Sequence, residues 1–151
     1  MRNGWKYPAD RRFKKQTMQK INAQNNAINW FEIPVTDTLR AKKFYETILG
    51  IQMETLEGPG EDVQILFPRD ASKVSALSGR VSGALVKNSR SKPSAEDALV
   101  YLNASPRVQE VIDRVESAGG KVLVPKTKIP AGQISIILDT EGNRVALHAE
   151  N

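Results

Sequence analysis

The chain of 151 residues contains no cysteine and a single histidine, His148. The absence of cysteine excludes disulfides, thiolate metal sites and cysteine nucleophiles, and a single histidine excludes motifs that need two imidazoles. No apolar run reaches the ~18 residues of a membrane span, and no glycine-rich phosphate loop is present. We therefore expect a globular protein of the cytoplasm without a membrane partner.

Positive charge is concentrated in the N-terminal part of the chain. Residues 1–24 carry seven basic residues and one acidic residue, whereas residues 25–151 carry 15 basic and 16 acidic residues. The net charge of +5 therefore does not indicate a nucleic-acid-binding domain, and we do not expect nucleic acid as a partner. We interpret residues 1–24 as a basic, solvated extension. The alternatives are an arm that binds nucleic acid, a membrane surface or a partner, and a natural start at Met18.

A strand, a helix and three further strands are predicted in the first half. Residues 27–35 are rich in β-favouring types, and Thr36-Asp37-Thr38 offers N-cap chemistry. Apolar residues then recur at helical spacing, and Gly50 ends the helix. These apolar residues are Ala41, Phe44, Tyr45 and Ile48. Strands are predicted at 51–57, 62–67 and 81–87.

The same order of elements is predicted again after a polar linker. Residues 97–103 form a strand, Ser105-Pro106 caps a helix, and Gly119-Gly120 ends it. The helical stripe is Val108, Val111, Ile112 and Val115. The last strands are predicted at 121–125, 133–139 and 143–149. The predicted organisation is a basic extension (1–24), a first module (25–88), a linker (89–95) and a second module (96–151).

Three segments resemble the glyoxalase/bleomycin resistance protein/dioxygenase superfamily, also called vicinal oxygen chelate proteins. The segments begin at Trp30-Phe31-Glu32-Ile33-Pro34, Val100-Tyr101-Leu102-Asn103 and Leu138-Asp139-Thr140-Glu141-Gly142-Asn143. The resemblance implies an α+β fold of two βαβββ modules, whose mixed, curled sheets form a cup with the helices on its outer face. It also implies a homodimer, since many relatives complete the cup across subunits. It leaves open whether the two modules of one cup belong to one chain or to two.

Strand alternation predicts which side chains face the cup. Phe31, Ile33 and Val35 suit packing against the first helix, so Trp30 and Glu32 face the other way. The same rule applied to residues 97–103 and 143–149 gives the rest of the lining. The predicted ligand-binding residues are Trp30, Glu32, Leu99, Tyr101, Asn103, Arg144 and His148.

The resemblance also identifies four strand positions where metal-using relatives hold their ligands. These positions fall on Trp30, Leu99 and Ala146, with the fourth near Ala84. None of these side chains coordinates a divalent cation. We therefore expect no metal ligands and no cofactor. A displaced divalent site that uses Glu32 and His148 is the disfavoured alternative.

Three functions remain open at this point. The leading interpretation is a protein that binds a small, partly apolar molecule in the cup without metal. The second is a lyase, isomerase or dioxygenase-type enzyme in which Glu32 or His148 acts as acid or base. The third is binding of nucleic acid or a partner through the basic extension. Structural roles compete with each assignment: a salt bridge for Glu32, a hydrogen-bonded His148, and core packing for Trp30 and Tyr101.

Overall fold

The computed structural model describes residues 21–24, 26–72 and 79–150. Its elements are β1 (Trp30–Pro34), α1 (Thr38–Leu49), β2 (Glu54–Glu57), β3 (Val63–Leu66), β4 (Ser82–Lys87), β5 (Tyr101–Asn103), α2 (Val108–Val115), β6 (Lys121–Ile129), β7 (Gly132–Leu138) and β8 (Arg144–Ala149). None of the helices in these ranges is long and apolar enough to span a bilayer. The predictions for residues 1–20, including a start at Met18, lie outside the described residues.

The strands form two four-stranded sheets with the same topology. The first sheet has the order β1-β4-β3-β2 and the second β5-β8-β7-β6. In each sheet the first strand runs parallel to the last, and the other neighbours are antiparallel. The predicted α+β fold with two mixed, open sheets is therefore confirmed.

Helix α1 begins and ends where the sequence predicts. The Asp37 side chain accepts a hydrogen bond from the Arg40 N–H at 3.0 Å, which satisfies one free donor of the first turn. Gly50 adopts φ 65° and donates its N–H to Glu46, as a left-handed C-terminal residue does. The predicted apolar stripe of the helix is buried.

Helix α2 begins later than predicted. Its N-cap is Arg107, without a side-chain hydrogen bond, and Ser105-Pro106 is a cis peptide outside the helix. The reason is local, because the Asn103 side chain accepts the Ser105 N–H at 2.9 Å and holds that residue in a turn.

Two strands of the second sheet also differ from their predicted lengths. β5 begins at Tyr101 rather than at residue 97. The Ser94 carbonyl accepts the Arg144 N–H, and the Ser94 N–H donates to the Asn143 side chain. Residues 95–97 then form a bend where the strand was expected to begin. β6 continues through Pro125 to Ile129. It tolerates the proline because β6 is an edge strand whose outer N–H groups need no partner.

The two modules share one hydrophobic core. It contains helix-facing side chains of both sheets together with the buried faces of α1 and α2, which contact each other. Gly120 lies so close to Phe44 that an added Cβ would approach the ring to 2.7 Å. The modules therefore pack through their helix-covered faces, and the opposite face of each sheet is left outside this core.

Candidate functional site

Each sheet presents an open face on the side away from the shared core. The first open face carries Trp30, Glu32, Leu66, Ala84 and Val86, and the second carries Tyr101, Asn103, Arg144, Ala146 and His148. On the first, Leu66, Ala84 and Val86 form a small apolar cluster separate from the shared core. The predicted cup-facing residues that lie in β1, β5 and β8 are on these two faces, whereas Leu99 precedes β5 and belongs to no strand.

The strand register repeats between the modules. Glu32 pairs with Ala84 in the first sheet, and Tyr101 pairs with Ala146 in the second. The Val35 N–H donates to the Val86 carbonyl oxygen at 2.9 Å, and the Ala104 N–H donates to the His148 carbonyl oxygen at 2.8 Å. Each acceptor lies two residues beyond the alanine of its sheet. Glu32 and Tyr101 therefore occupy equivalent positions.

The four positions that the resemblance assigns to metal ligands also correspond between modules. Trp30 precedes Glu32 by two residues as Leu99 precedes Tyr101, and neither belongs to the shared core. Ala84 and Ala146 are buried within the sheets. Among the described residues, no group of three or more His, Cys, Asp or Glu side chains comes together. The side chains at these four positions are an indole, an isobutyl group and two methyl groups, and none of them is a ligand for a divalent cation.

Two depressions bring part of the predicted site together. The first, a groove of about 730 Å³, is mainly apolar and includes Leu99, Tyr101 and Asn103 in its lining, with Phe31 and Phe67 from the first module. The second, of about 480 Å³, joins Tyr101 and Asn103 to His148. Trp30, Glu32 and Arg144 line neither depression.

Glu32 and His148 form no hydrogen bond or ion pair with each other. His148 Nε2 lies 2.9 Å from the Ala131 carbonyl oxygen. The Glu32 side chain is exposed, and its carboxylate makes no ion pair or hydrogen bond in the described part of the chain. The salt bridge considered for Glu32 is therefore absent from the described part of the chain. The roles of both residues as acid, base or ligand contact stay predictions.

The sequence did not reveal a polar cluster that joins the modules, which we call the module clamp: Tyr45, Asp139, Glu141 and Asn143. Asp139 accepts the Tyr45 hydroxyl at 2.7 Å, and the Asn143 side chain donates to the Pro34 carbonyl at 2.7 Å. Burial of the Tyr45 hydroxyl and the adjacent Asp139 carboxylate raise the pKa of Tyr45 well above its usual value of 10. From the sequence, residues 139–143 are predicted only to connect the last two strands. Two acids and an amide in five residues were the available signal.

Glu141 holds the start of α1. Its carboxylate accepts hydrogen bonds from the Thr36 N–H and hydroxyl at 3.0 Å, the Asp37 N–H at 2.7 Å and Arg40 Nε at 2.7 Å. Burial favours the protonated acid, but the bonds from Arg40, Asp37 and Thr36 outweigh it and lower the pKa of Glu141 from 4.5 to about 2. The second module thereby stabilises the first turn of a helix in the first.

Curated relatives and solved structures share this architecture. The chain is 29% identical over 126 residues to CFP32, a provisional glyoxylase of Mycobacterium tuberculosis and of Mycobacterium bovis, which covers 82% of this chain. It spans only 45% of those relatives' length. A glyoxalase I mutant from Zea mays has a TM-score of 0.61 at 20% identity, covering 80% of this chain and 45% of that one. A glyoxalase/bleomycin resistance protein from Albidiferax ferrireducens has a TM-score of 0.58 at 15% identity, covering 81% and 97%. Likenesses at this identity establish the fold alone.

A family model also matches most of the sequence. The Glyoxalase/Bleomycin resistance protein/Dioxygenase superfamily model matches residues 27–147, which include both sheets and both helices apart from the last two residues of β8. The chain belongs to the glyoxalase/bleomycin resistance protein/dioxygenase superfamily.

Proposed function

We propose that this protein binds a small, partly apolar molecule in a cup formed by two copies of the chain, and that it does so without a metal ion. One observation carries the proposal. The positions that the family resemblance assigns to metal ligands hold Trp30, Ala84, Leu99 and Ala146, outside the shared core. A site with this lining offers apolar contact and stacking rather than coordination.

The open faces have the composition of a small-molecule site. Trp30 and Tyr101 remain 39% and 53% exposed, although both are large aromatic side chains on a strand. Such rings stack on flat ligands and contribute contact area beyond that of an aliphatic residue. Glu32, Asn103 and His148 add a few polar groups that would orient the ligand.

The packing of the modules supports a cup shared between copies. Within one chain the helix-covered faces of the two sheets pack together, so both open faces lie outside the shared core. Among the described strands, none of one sheet pairs with a strand of the other. β1 and β5 are edge strands, each with one side unpaired in the described structure. A second copy would bring its second open face to the first open face of this chain.

The proposal is tested with N-phenyl-1-naphthylamine, a neutral aromatic probe that fluoresces in apolar sites. The full-length protein is expected to bind it saturably, equally well with and without EDTA. Trp30→Ala is expected to weaken binding about tenfold, since an aromatic contact contributes roughly 0.5–1.5 kcal/mol beyond area burial. Leu39→Ala is the matched control, because Leu39 is 80% exposed on α1, away from the open faces. Absence of saturable binding, or binding that EDTA abolishes, would contradict the proposal.

A further inference from the structure

Arg144 is the one cation among the predicted ligand-binding residues. It begins β8 and pairs with Leu138 of β7. Val145 and Leu147, which point to the opposite face of β8, lie in the shared core. The Arg144 side chain therefore emerges on the second open face, two residues before Ala146.

The Arg144 guanidinium forms no ion pair within the part of the chain that the structure describes. Its Nη2 has a long hydrogen bond of 3.4 Å to the Asp97 carbonyl oxygen. Its Nε is buried and has no hydrogen-bond partner, and no other buried side-chain nitrogen or oxygen in the described ranges is left in that state.

A buried N–H without an acceptor is destabilising, and arginine cannot lose its charge to relieve it. Guanidinium groups satisfy this requirement best with two oxygens of one anion, through the N–H bonds along one edge. Oxyanions of this geometry are carboxylate, sulfonate and phosphonate groups. The side chains next to Arg144 on this face, Leu138 and Ala146, are apolar.

We propose that Arg144 binds the anionic head group of an amphipathic ligand, whose apolar part lies along the open faces. This inference rests on the proposed function, because it names the ligand class of the same cup. It makes Arg144 a specificity-determining residue, with the ligand a carboxylate, sulfonate or phosphonate attached to an apolar body.

Two matched probes separate this inference from the proposed function. N-phenyl-1-naphthylamine is neutral, and 8-anilinonaphthalene-1-sulfonate is the same molecule with a sulfonate. The wild type is expected to prefer the sulfonate. Arg144→Gln is expected to weaken sulfonate binding about tenfold or more and to weaken binding of the neutral probe much less. Arg144→Lys retains the charge but not the two parallel N–H donors of the guanidinium. Its affinity for the sulfonate should therefore lie between those of the wild type and Arg144→Gln. Lys128→Gln is the control, since Lys128 is an exposed cation of the same sheet.

The possible results are distinguishable. If the wild type binds neither probe, the proposed function fails and this inference fails with it. If both probes bind and Arg144→Gln leaves the sulfonate affinity unchanged, the proposed function stands and the anion site is refuted. A lower dimer affinity of Arg144→Gln, with unchanged preference between probes, would also refute it and assign the counter-charge to a carboxylate of a second copy. Thermal denaturation of each variant shows that it is folded.

Discussion

Glu141→Ala is expected to lower the free energy of unfolding by about 2–3 kcal/mol at neutral pH. The substitution removes the acceptor for the Thr36 and Asp37 N–H groups and the counter-charge of Arg40. The shift of the pKa from 4.5 to about 2 corresponds to roughly 3 kcal/mol at 1.36 kcal/mol for each pH unit. Arg40 is half exposed, so solvent screening reduces that contribution to about 2 kcal/mol.

The same substitution is expected to change how stability depends on pH. Because the folded-state pKa of Glu141 lies below its unfolded value, the unfolded chain binds the proton first on acidification. The stabilisation is therefore present above the unfolded pKa of 4.5 and is lost as the pH falls through about 2. Glu141→Ala should show a flatter decline over that window.

Urea denaturation of the full-length protein at a series of pH values measures both effects. Glu110→Ala is the matched control, because Glu110 pairs with Arg107 at 3.3 Å where both side chains are at least half exposed. Such a pair contributes about 0–1 kcal/mol. If Glu141→Ala were as stable as Glu110→Ala at neutral pH, the module clamp would not join the modules as described.

Mixing two binding-deficient variants is expected to restore binding. In a cup shared between copies, Trp30 of one chain faces the second open face of the other. A heterodimer of Trp30→Ala and Tyr101→Ala chains then has one cup with both substitutions and one cup with neither. Heterodimers isolated through two different affinity tags should bind the neutral naphthylamine probe at half of their sites with wild-type affinity.

The outcome separates shared cups from cups within a chain. If each cup formed within one chain, every cup of the heterodimer would carry one substitution, and wild-type affinity would not reappear. Dimers isolated in the same way from two differently tagged Trp30→Ala chains give the baseline. A protein that stays monomeric at the concentrations of the assay would also contradict the shared cup.

The local elements could be predicted because their signals lie within a few residues. The spacing of Ala41, Phe44, Tyr45 and Ile48 predicted the buried stripe of α1, and alternation in β1 separated Trp30 and Glu32 from Ile33. Such features follow from the spacing of apolar residues and from turn-forming residues, so they can be predicted without information on distant contacts.

The features that the sequence did not reveal depend on distant contacts. Glu141 bonds to Thr36 across 105 positions, and the Ser94–Asn143 bond that accompanies the late start of β5 spans 49. Neither pairing leaves a local pattern. The separation of the open faces within one chain likewise follows from how the helices pack together. The resemblance predicted a cup but left open whether its modules belong to one chain or two.

Metal binding by the full-length protein is the most direct test of the central claim. The protein is dialysed to equilibrium against zinc, nickel, manganese or ferrous ions, and bound metal is measured by mass spectrometry alongside binding of the neutral naphthylamine probe. We expect no stoichiometric metal and the same probe affinity with and without each ion. One ion bound per cup, lost on Glu32→Gln or His148→Ala and required for the probe, would contradict a metal-free site.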